Sequence, residues 1–331
     1  MRGITGWRVP GDVALRGGVA LRAALTIVVT LLAGSVASHA AAQTKPQTKP
    51  QTKPQAPANP RPGSAAPAVP TPEQDRAALT NLLQKRFPVL AIDDWSLGSA
   101  AFSPGVAVIP LGGANATNVN DILAIGKKAW ERPFANGKSL ATCFPNGGRR
   151  VASNYPQWDP QQNRVVTLED GINACRVLHG ELPFRLDDGL TMGAVSAYLR
   201  SLAVGQKLNV RVPPGPARTA YASGREWFGK RLGEKGMACA SCHVLQAGGF
   251  WDEPDAPGGK RGLSPAVGQV LAWPRVEAGG RVRSLHQQFQ RCMTRTGAEP
   301  FASGSPIFAE IEYFLANSSN GLTIRGAIPA H

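Results

Sequence analysis

Residues Cys239-Ala240-Ser241-Cys242-His243 decide how the rest of the sequence is read. They form a C-x-x-C-H run, the pattern that anchors a covalent c-type haem. Two thiols about one helical turn apart add to the two haem vinyl groups, and the adjacent imidazole reaches the iron as proximal ligand. A structural zinc site would need a second Cys/His pair at matching spacing, and none is present in the sequence. A thioredoxin-like dithiol would follow a strand and would need no histidine. One covalent haem is therefore expected, on Cys239 and Cys242, with His243 on the iron.

The start of the chain agrees with that reading. Arg2, Arg8, Arg16 and Arg22 precede an apolar run from Ala23 to Ala37, which is short for a membrane span. Ala40-Ala41-Ala42 then fits a cleavage site before Gln43, so residues 1–42 read as a signal peptide and the mature protein as periplasmic. Haem is attached to such motifs on the exported side. Residues 43–72 follow as a linker, with Thr-Lys-Pro-Gln repeated three times from Thr44 to Gln55 and alanine and proline beyond. The whole chain of 331 residues carries a formal charge of +14, half of it in these first 72 residues. What remains is a moderate excess without a basic helix or an aromatic-basic motif, so nucleic acid is not an expected partner. A positive surface favours encounter with a small anion or an acidic carrier.

Residues 73–331 suit two domains of ordinary size, and the two halves resemble each other. Gly126 and Trp130 precede Cys143; Gly224 and Trp227 precede Cys239. Each half closes on an amphipathic helical pattern, Met192 to Leu202 in the first and Ile307 to Leu315 in the second. Gly205 and Gly321 follow as stops. Pro213-Pro214-Gly215-Pro216 lies between the halves as a linker signal. The expected fold is mainly α: two cytochrome c-like domains in tandem, 73–212 without haem and 213–331 with it. The first copy reads Cys143-Phe144-Pro145-Asn146-Gly147 where the second carries its haem motif, so the second thiol and the histidine are missing.

The repeat aligns two further cysteines. Cys175 lies 23 residues before Tyr198, and Cys292 lies 21 residues before Tyr313. In the haemless half Cys143 and Cys175 would face each other across a vacated pocket, and in an oxidising compartment they should pair. Cys292 is the fifth and unpaired thiol, on the side of its domain opposite the haem motif. Arg291 and Arg295 flank it and favour a thiolate. Met293, Met237 and His286 compete with it as distal ligand, and a methionine there would make an ordinary electron carrier. Phe250, Trp251 and Trp273 are expected to pack on the haem or the domain core. His179 reads as a surface or core histidine, and Asp187-Asp188 as a solvated helix start.

These features resemble the SoxA family. The leader, the two cytochrome c-like halves and the single C-x-x-C-H run look like it. So do Ser284-Leu285-His286 with Cys292, Ala298-Glu299-Pro300 and Gly304-Ser305 before a last helix. The resemblance implies the monohaem form, in which a disulfide takes the place of the N-terminal haem. It implies a reaction in which thiosulfate is joined oxidatively to a cysteine of the carrier SoxY, within SoxYZ, giving a cysteine S-thiosulfonate. It places the catalytic cysteine, a persulfide and the second axial ligand, at Cys292. It also implies a small monohaem partner, SoxX. The family has a substrate-binding arginine one helical turn before that cysteine; here the position is Gln288, which leaves Arg291 or Arg295 to hold the sulfonate. Two other readings stand beside this one. The first is a plain exported electron carrier with Met293 on the iron. The second is a thiosulfate dehydrogenase, a class that normally keeps two haem motifs.

Overall fold

A computed structural model describes residues 70–102, 116–252, 259–277, 280–325 and 328–329. The expected signal peptide and nearly all of the 43–72 linker lie outside the described residues. No helix among the described residues is long and apolar enough to cross a membrane.

The chain is mainly helical. In order, the helices are α1 (Pro72–Arg86), α2 (Ala116–Glu131), α3 (Leu140–Cys143), α4 (Leu168–Leu178), α5 (Met192–Ser201), α6 (Pro216–Gly229), α7 (Leu285–Arg295) and α8 (Pro306–Ser318). The strands are two or three residues long. β1 (Gln157–Asp159) pairs with β2 (Arg164–Val166), and β3 (Phe250–Asp252) with β4 (Lys260–Gly262), both antiparallel. A third sheet has the order β6 (Val282–Arg283), β5 (Arg275–Val276), β7 (Ile328–Pro329).

Two helix crossings organise everything else: α2 against α5, and α6 against α8. Each depends on a glycine. A methyl group at Gly126 would fall on the backbone carbonyl of Ala194, and one at Gly224 on that of Glu310. Only glycine lets the backbones approach this closely. An aromatic residue one turn later locks each crossing. Trp130 lies against Tyr198, centroids 6.5 Å apart, and Phe228 against Phe314 at 5.3 Å. The crossing therefore matches Trp130 with Phe228, and Tyr198 with Phe314, one position away from the register read by eye with Trp227 and Tyr313. Trp227 is left to meet Phe301 edge-on at 5.3 Å.

The helix ends follow from local sequence. Thr167 and Ser284 form capping boxes with Asp170 and Gln287, and Ser305 caps α8 ahead of Pro306. Gly205 and Gly321 have φ of 81° and 88° after the two closing helices, as stops should. The segments that follow those helices are stitched together: Leu208 N–H donates to Leu322 O at 3.0 Å, and Ile324 N–H to Gln206 O at 2.9 Å.

The stretch before the first repeat sits elsewhere than chain order suggests. Asp75 on α1 pairs with Arg225 on α6 at 3.2 Å and accepts from the Tyr221 hydroxyl at 3.4 Å. Beyond α1, Phe87 and Phe102 close on Gly248, and the backbone of Trp95 closes on Gly268. Residues 72–102 thus wrap the haem-motif half, and the first repeat proper begins at α2. Trp95, Trp130, Phe308 and Tyr313 are among the largest fully buried side chains of the shared core. Burying a side chain of that size contributes roughly 2–3 kcal/mol.

Candidate haem pocket and sulfur site

After α6 the chain turns at Leu232–Met237, a bridge closed by Gly233 and Gly236, both in the left-handed region. Lys235 N–H donates to Thr296 O at 3.1 Å, which ties this turn to the end of α7. A single wide helical turn, Ser241–Leu245, then presents Cys242 and His243, with Cys239 just before it. The Ser241 hydroxyl accepts from Ala238 N–H at 3.1 Å and fixes the start of the turn. The motif and α7 are in this way held face to face.

Between them lies a cavity. Cys239, Cys242 and His243 line one side. Gln288, Cys292, Met293 and Arg295 line the other. Phe289, Phe308, Ile311 and Leu315 give it an apolar floor. Trp251 and Trp273 line it too, as expected, but Phe250 is 56% exposed and takes no part. Strand alternation explains the difference, since neighbours in β3 point to opposite faces.

The side chains suit a covalent haem c. The Nδ1–H of His243 donates to Ser264 O at 2.8 Å, which leaves Nε2 as a lone pair. Gln269 Nε2 lies 3.2 Å from that nitrogen, while Gln269 Oε1 is buried without a hydrogen-bond partner. The amide thus stands where a metal would approach the imidazole. Burial, and then the nearby Cys292, push the Cys239 thiol up to about 12, and the same causes raise Cys242. Neutral sulfurs in an apolar wall are what thioether links need. The influence of Cys292 on both also places it within electrostatic reach of the motif.

The structure separates the competing distal ligands. Cys292, Met293 and Met237 all border the cavity. His286 does not: its Nε2 lies 3.2 Å from Glu312 Oε2, and its Nδ1 accepts from Gly304 N–H at 3.0 Å. The arginines also divide, since Arg295 borders the cavity and Arg291 does not. Gln288 donates through Nε2 to Cys292 Sγ at 3.3 Å, and its Oε1 accepts from Arg283 at 3.1 Å. Sequence reading missed Arg283, which reaches this helix from β6. It also missed Gln269 and Arg275, both of which line the cavity.

In the other half Cys143 and Cys175 are joined by a disulfide, with Cα atoms 5.9 Å apart. Phe144 fills beside it, 5.2 Å from Trp130. His179 stacks on Phe134 and meets Asn136 at 2.9 Å, on the surface. Asp188 caps the turn ahead of α5 through Leu190 and Thr191 N–H, and Asp187 pairs with Arg185.

The family model for the SoxA/TsdA cytochrome c domain matches residues 125–208, within the half that lacks the haem motif. An L-cysteine S-thiosulfotransferase subunit SoxA from Chlorobaculum tepidum is 39% identical over 202 residues, 61% of this chain and 68% of that protein. The protein of the same name from Allochromatium vinosum is 30% identical over 259 residues, 77% and 89% of the two chains. Among solved structures, SoxXA from P. pantotrophus matches with a TM-score of 0.57 at 24% identity, over 66% of this chain and 80% of that one; at this identity it speaks for the fold. The chain accordingly belongs to the SoxA family and carries covalently bound haem c.

Proposed function

We propose that this chain conjugates thiosulfate oxidatively to a cysteine thiol of a SoxY-type carrier and that Cys292 performs the sulfur chemistry. The names of its relatives support the activity. The observation that carries the residue assignment is the cavity itself, which places Cys292 on α7 opposite the C-x-x-C-H turn. The overall reaction balances as a carrier thiol plus thiosulfate giving the S–S-linked thiosulfonate, one proton and two electrons. In this reading His243 and Cys292 would hold the haem iron, and bound haem c would supply a one-electron acceptor.

The chain's own residues have three tasks. The Gln288 amide donates to Cys292 Sγ and orients it. Arg295 borders the cavity and offers a guanidinium to the sulfonate oxygens, which it binds well as acceptors. Arg291, on the same helix but off the cavity wall, adds to the field that draws a divalent anion. Met293 also borders the cavity and sustains the rival reading of an electron carrier.

A SoxX-type monohaem cytochrome is the proposed partner, since the solved structure of similar fold is a SoxXA complex. SoxYZ is the proposed protein substrate. Export to the periplasm is proposed from the basic and apolar start of the chain.

Cys292→Met tests the assignment. Haem should stay attached, because Cys239, Cys242 and His243 are untouched, while the optical spectrum changes and conjugation is lost. Arg295→Ala should weaken thiosulfate use by ten-fold or so, consistent with about 1.4 kcal/mol, and Arg291→Ala by less. Full activity in Cys292→Met would return the protein to the electron carriers.

A further inference from the structure

Arg275 has no role in the chemistry above, yet it is 8% exposed and lines the haem cavity. Its Nε–H donates to Ala272 O at 3.2 Å, and its guanidinium lies 4.7 Å from the centre of the Trp273 ring. No carboxylate among the described residues pairs with it. The charges that act on it are those of Arg261 and Arg283, which are both positive. Burial and these two neighbours pull its pKa down to about 10, still well above neutrality. β4 of one sheet and β5 and β6 of another each carry one arginine of this group. Arg283 has an acidic partner, Glu277.

A buried cation without a counter-charge is costly. The fold nevertheless makes room for it. Gly98 has φ of 64°, and a methyl group there would come within 2.9 Å of an Arg275 Nη atom. Ser99, Gly262 and Ser264 border the cavity on this same side. This wall also supports His243, through Ser264 O. Arg283, the cross-strand partner of Arg275, joins this wall to Gln288 on α7.

A haem c brings two propionate carboxylates into whatever pocket holds it. They are the anions that a buried guanidinium on this wall lacks. We propose that Arg275 is the anchor for a haem propionate, with Arg261 as its neighbour at the same carboxylate end. The bidentate fork of Arg275 fits a carboxylate, and Trp273 covers the guanidinium face. The pairing offsets the charge of Arg275 and fixes the haem's rotation relative to α7. It also keeps the propionate ionised across the neutral range, so that reduction of the haem takes up no proton there. Arg275 is a positioning residue in this scheme, and the scheme does not depend on which sulfur chemistry occurs at Cys292.

The test is the pH dependence of the haem midpoint potential in the holoprotein. With Arg275 present, the potential should be flat between about pH 6 and 8, because the propionate stays ionised. In Arg275→Gln the propionate should titrate in that window, so the potential rises as pH falls. At the alkaline end it should lie below that of the parent, since one positive charge has gone. Arg275→Lys should restore the flat profile at least in part. Haem content per chain should be unchanged, because attachment is through Cys239 and Cys242. An Arg275→Gln protein with the parent's potential at every pH would overturn the proposal. So would a variant whose pH profile is unchanged while its thiosulfate KM rises, which would assign Arg275 to the substrate anion. If Arg275→Gln does not accumulate, infrared difference spectra of the unsubstituted protein decide the matter. A propionate that takes up a proton on reduction near neutral pH would sink the proposal; its absence is the expected result.

Discussion

The two halves share a frame and differ in what fills it. Gly126 and Gly224 set equivalent helix crossings, and Cys175 and Cys292 sit at equivalent distances before the closing helices. In the first half Cys175 meets Cys143 and the two are joined. In the second, Cys292 and Cys239 border a cavity and are not joined to each other. The first half fills its space with protein, using Phe144 against Trp130 and a covalent cross-link. The second half keeps the space and lines it with apolar side chains, three cysteines and a histidine. The same cysteine position is a staple in one setting and, in the proposed function, the reactive group in the other. What separates them is whether the chain kept the residues that attach a cofactor.

That comparison can be broken most forcefully at the crossings. Gly224→Ala sets a methyl group against the α8 backbone and should cost about 3 kcal/mol, the upper range for overpacking. Since α6 leads into the haem motif, haem content per chain should fall as well. Gly126→Ala should be comparably destabilising but leave haem content intact. Chemical denaturation together with a pyridine haemochrome assay would separate the two. Equal loss of haem in both variants would contradict the division of labour between the halves.

Next in size is the disulfide. It closes a sequence separation of 32, and its removal in the double variant Cys143→Ser/Cys175→Ser should lower stability by about 3 kcal/mol. Conjugation activity should survive at temperatures where the variant is folded. Loss of activity without loss of stability would mean that the first half does more than support the second.

The smallest expected effect comes from a charged cluster between the halves. Glu169 on α4 and Arg200 on α5 face His286 on α7 and Glu312 on α8, around a shared small cavity. Ser196 donates to Glu169 at 2.8 Å. Burial raises the Glu169 pKa, and the charge of Glu312 adds to it. Burial alone would lower His286, but the Glu312 carboxylate outweighs it and the pKa is raised above 6.5. Both groups hold their protons more tightly in the folded state than in the unfolded one. Their stabilisation is therefore complete below the ordinary values and is lost as pH rises through the raised ones. The melting temperature should decline gradually as pH climbs past the histidine range. His286→Gln should flatten that decline. A melting temperature that rises between about pH 6 and 8 would contradict the account.

Sequence alone carried the parts of this fold that are local. The haem motif, the closing helices and their glycine stops all reside in a few adjacent residues. The equivalence of Cys175 and Cys292 was legible because the repeat preserves distance along the chain. The exact match of the crossings was not: Trp227 and Phe228 are both aromatic, and only the approach of Gly224 to Glu310 selects Phe228. The docking of residues 72–102 on the second half was hidden because its contacts, such as Asp75 with Arg225, span well over a hundred positions. Arg275 and Arg283 were missed for a similar reason. Each looks like one basic residue among many until β5 and β6 bring them beside the cavity. His286 was a reasonable ligand on paper, and only the position of Glu312 removes it.

The proposed divergence of the halves into one haem site and one disulfide leaves Cys292 as the cysteine that neither covalent link uses. The most direct test is an intact mass spectrum of the mature protein, denatured and alkylated without reductant. One haem and one alkylated cysteine, mapped to Cys292, is the predicted result, with or without an extra sulfur on that residue. A second haem, or three alkylated cysteines beside the haem, would contradict it.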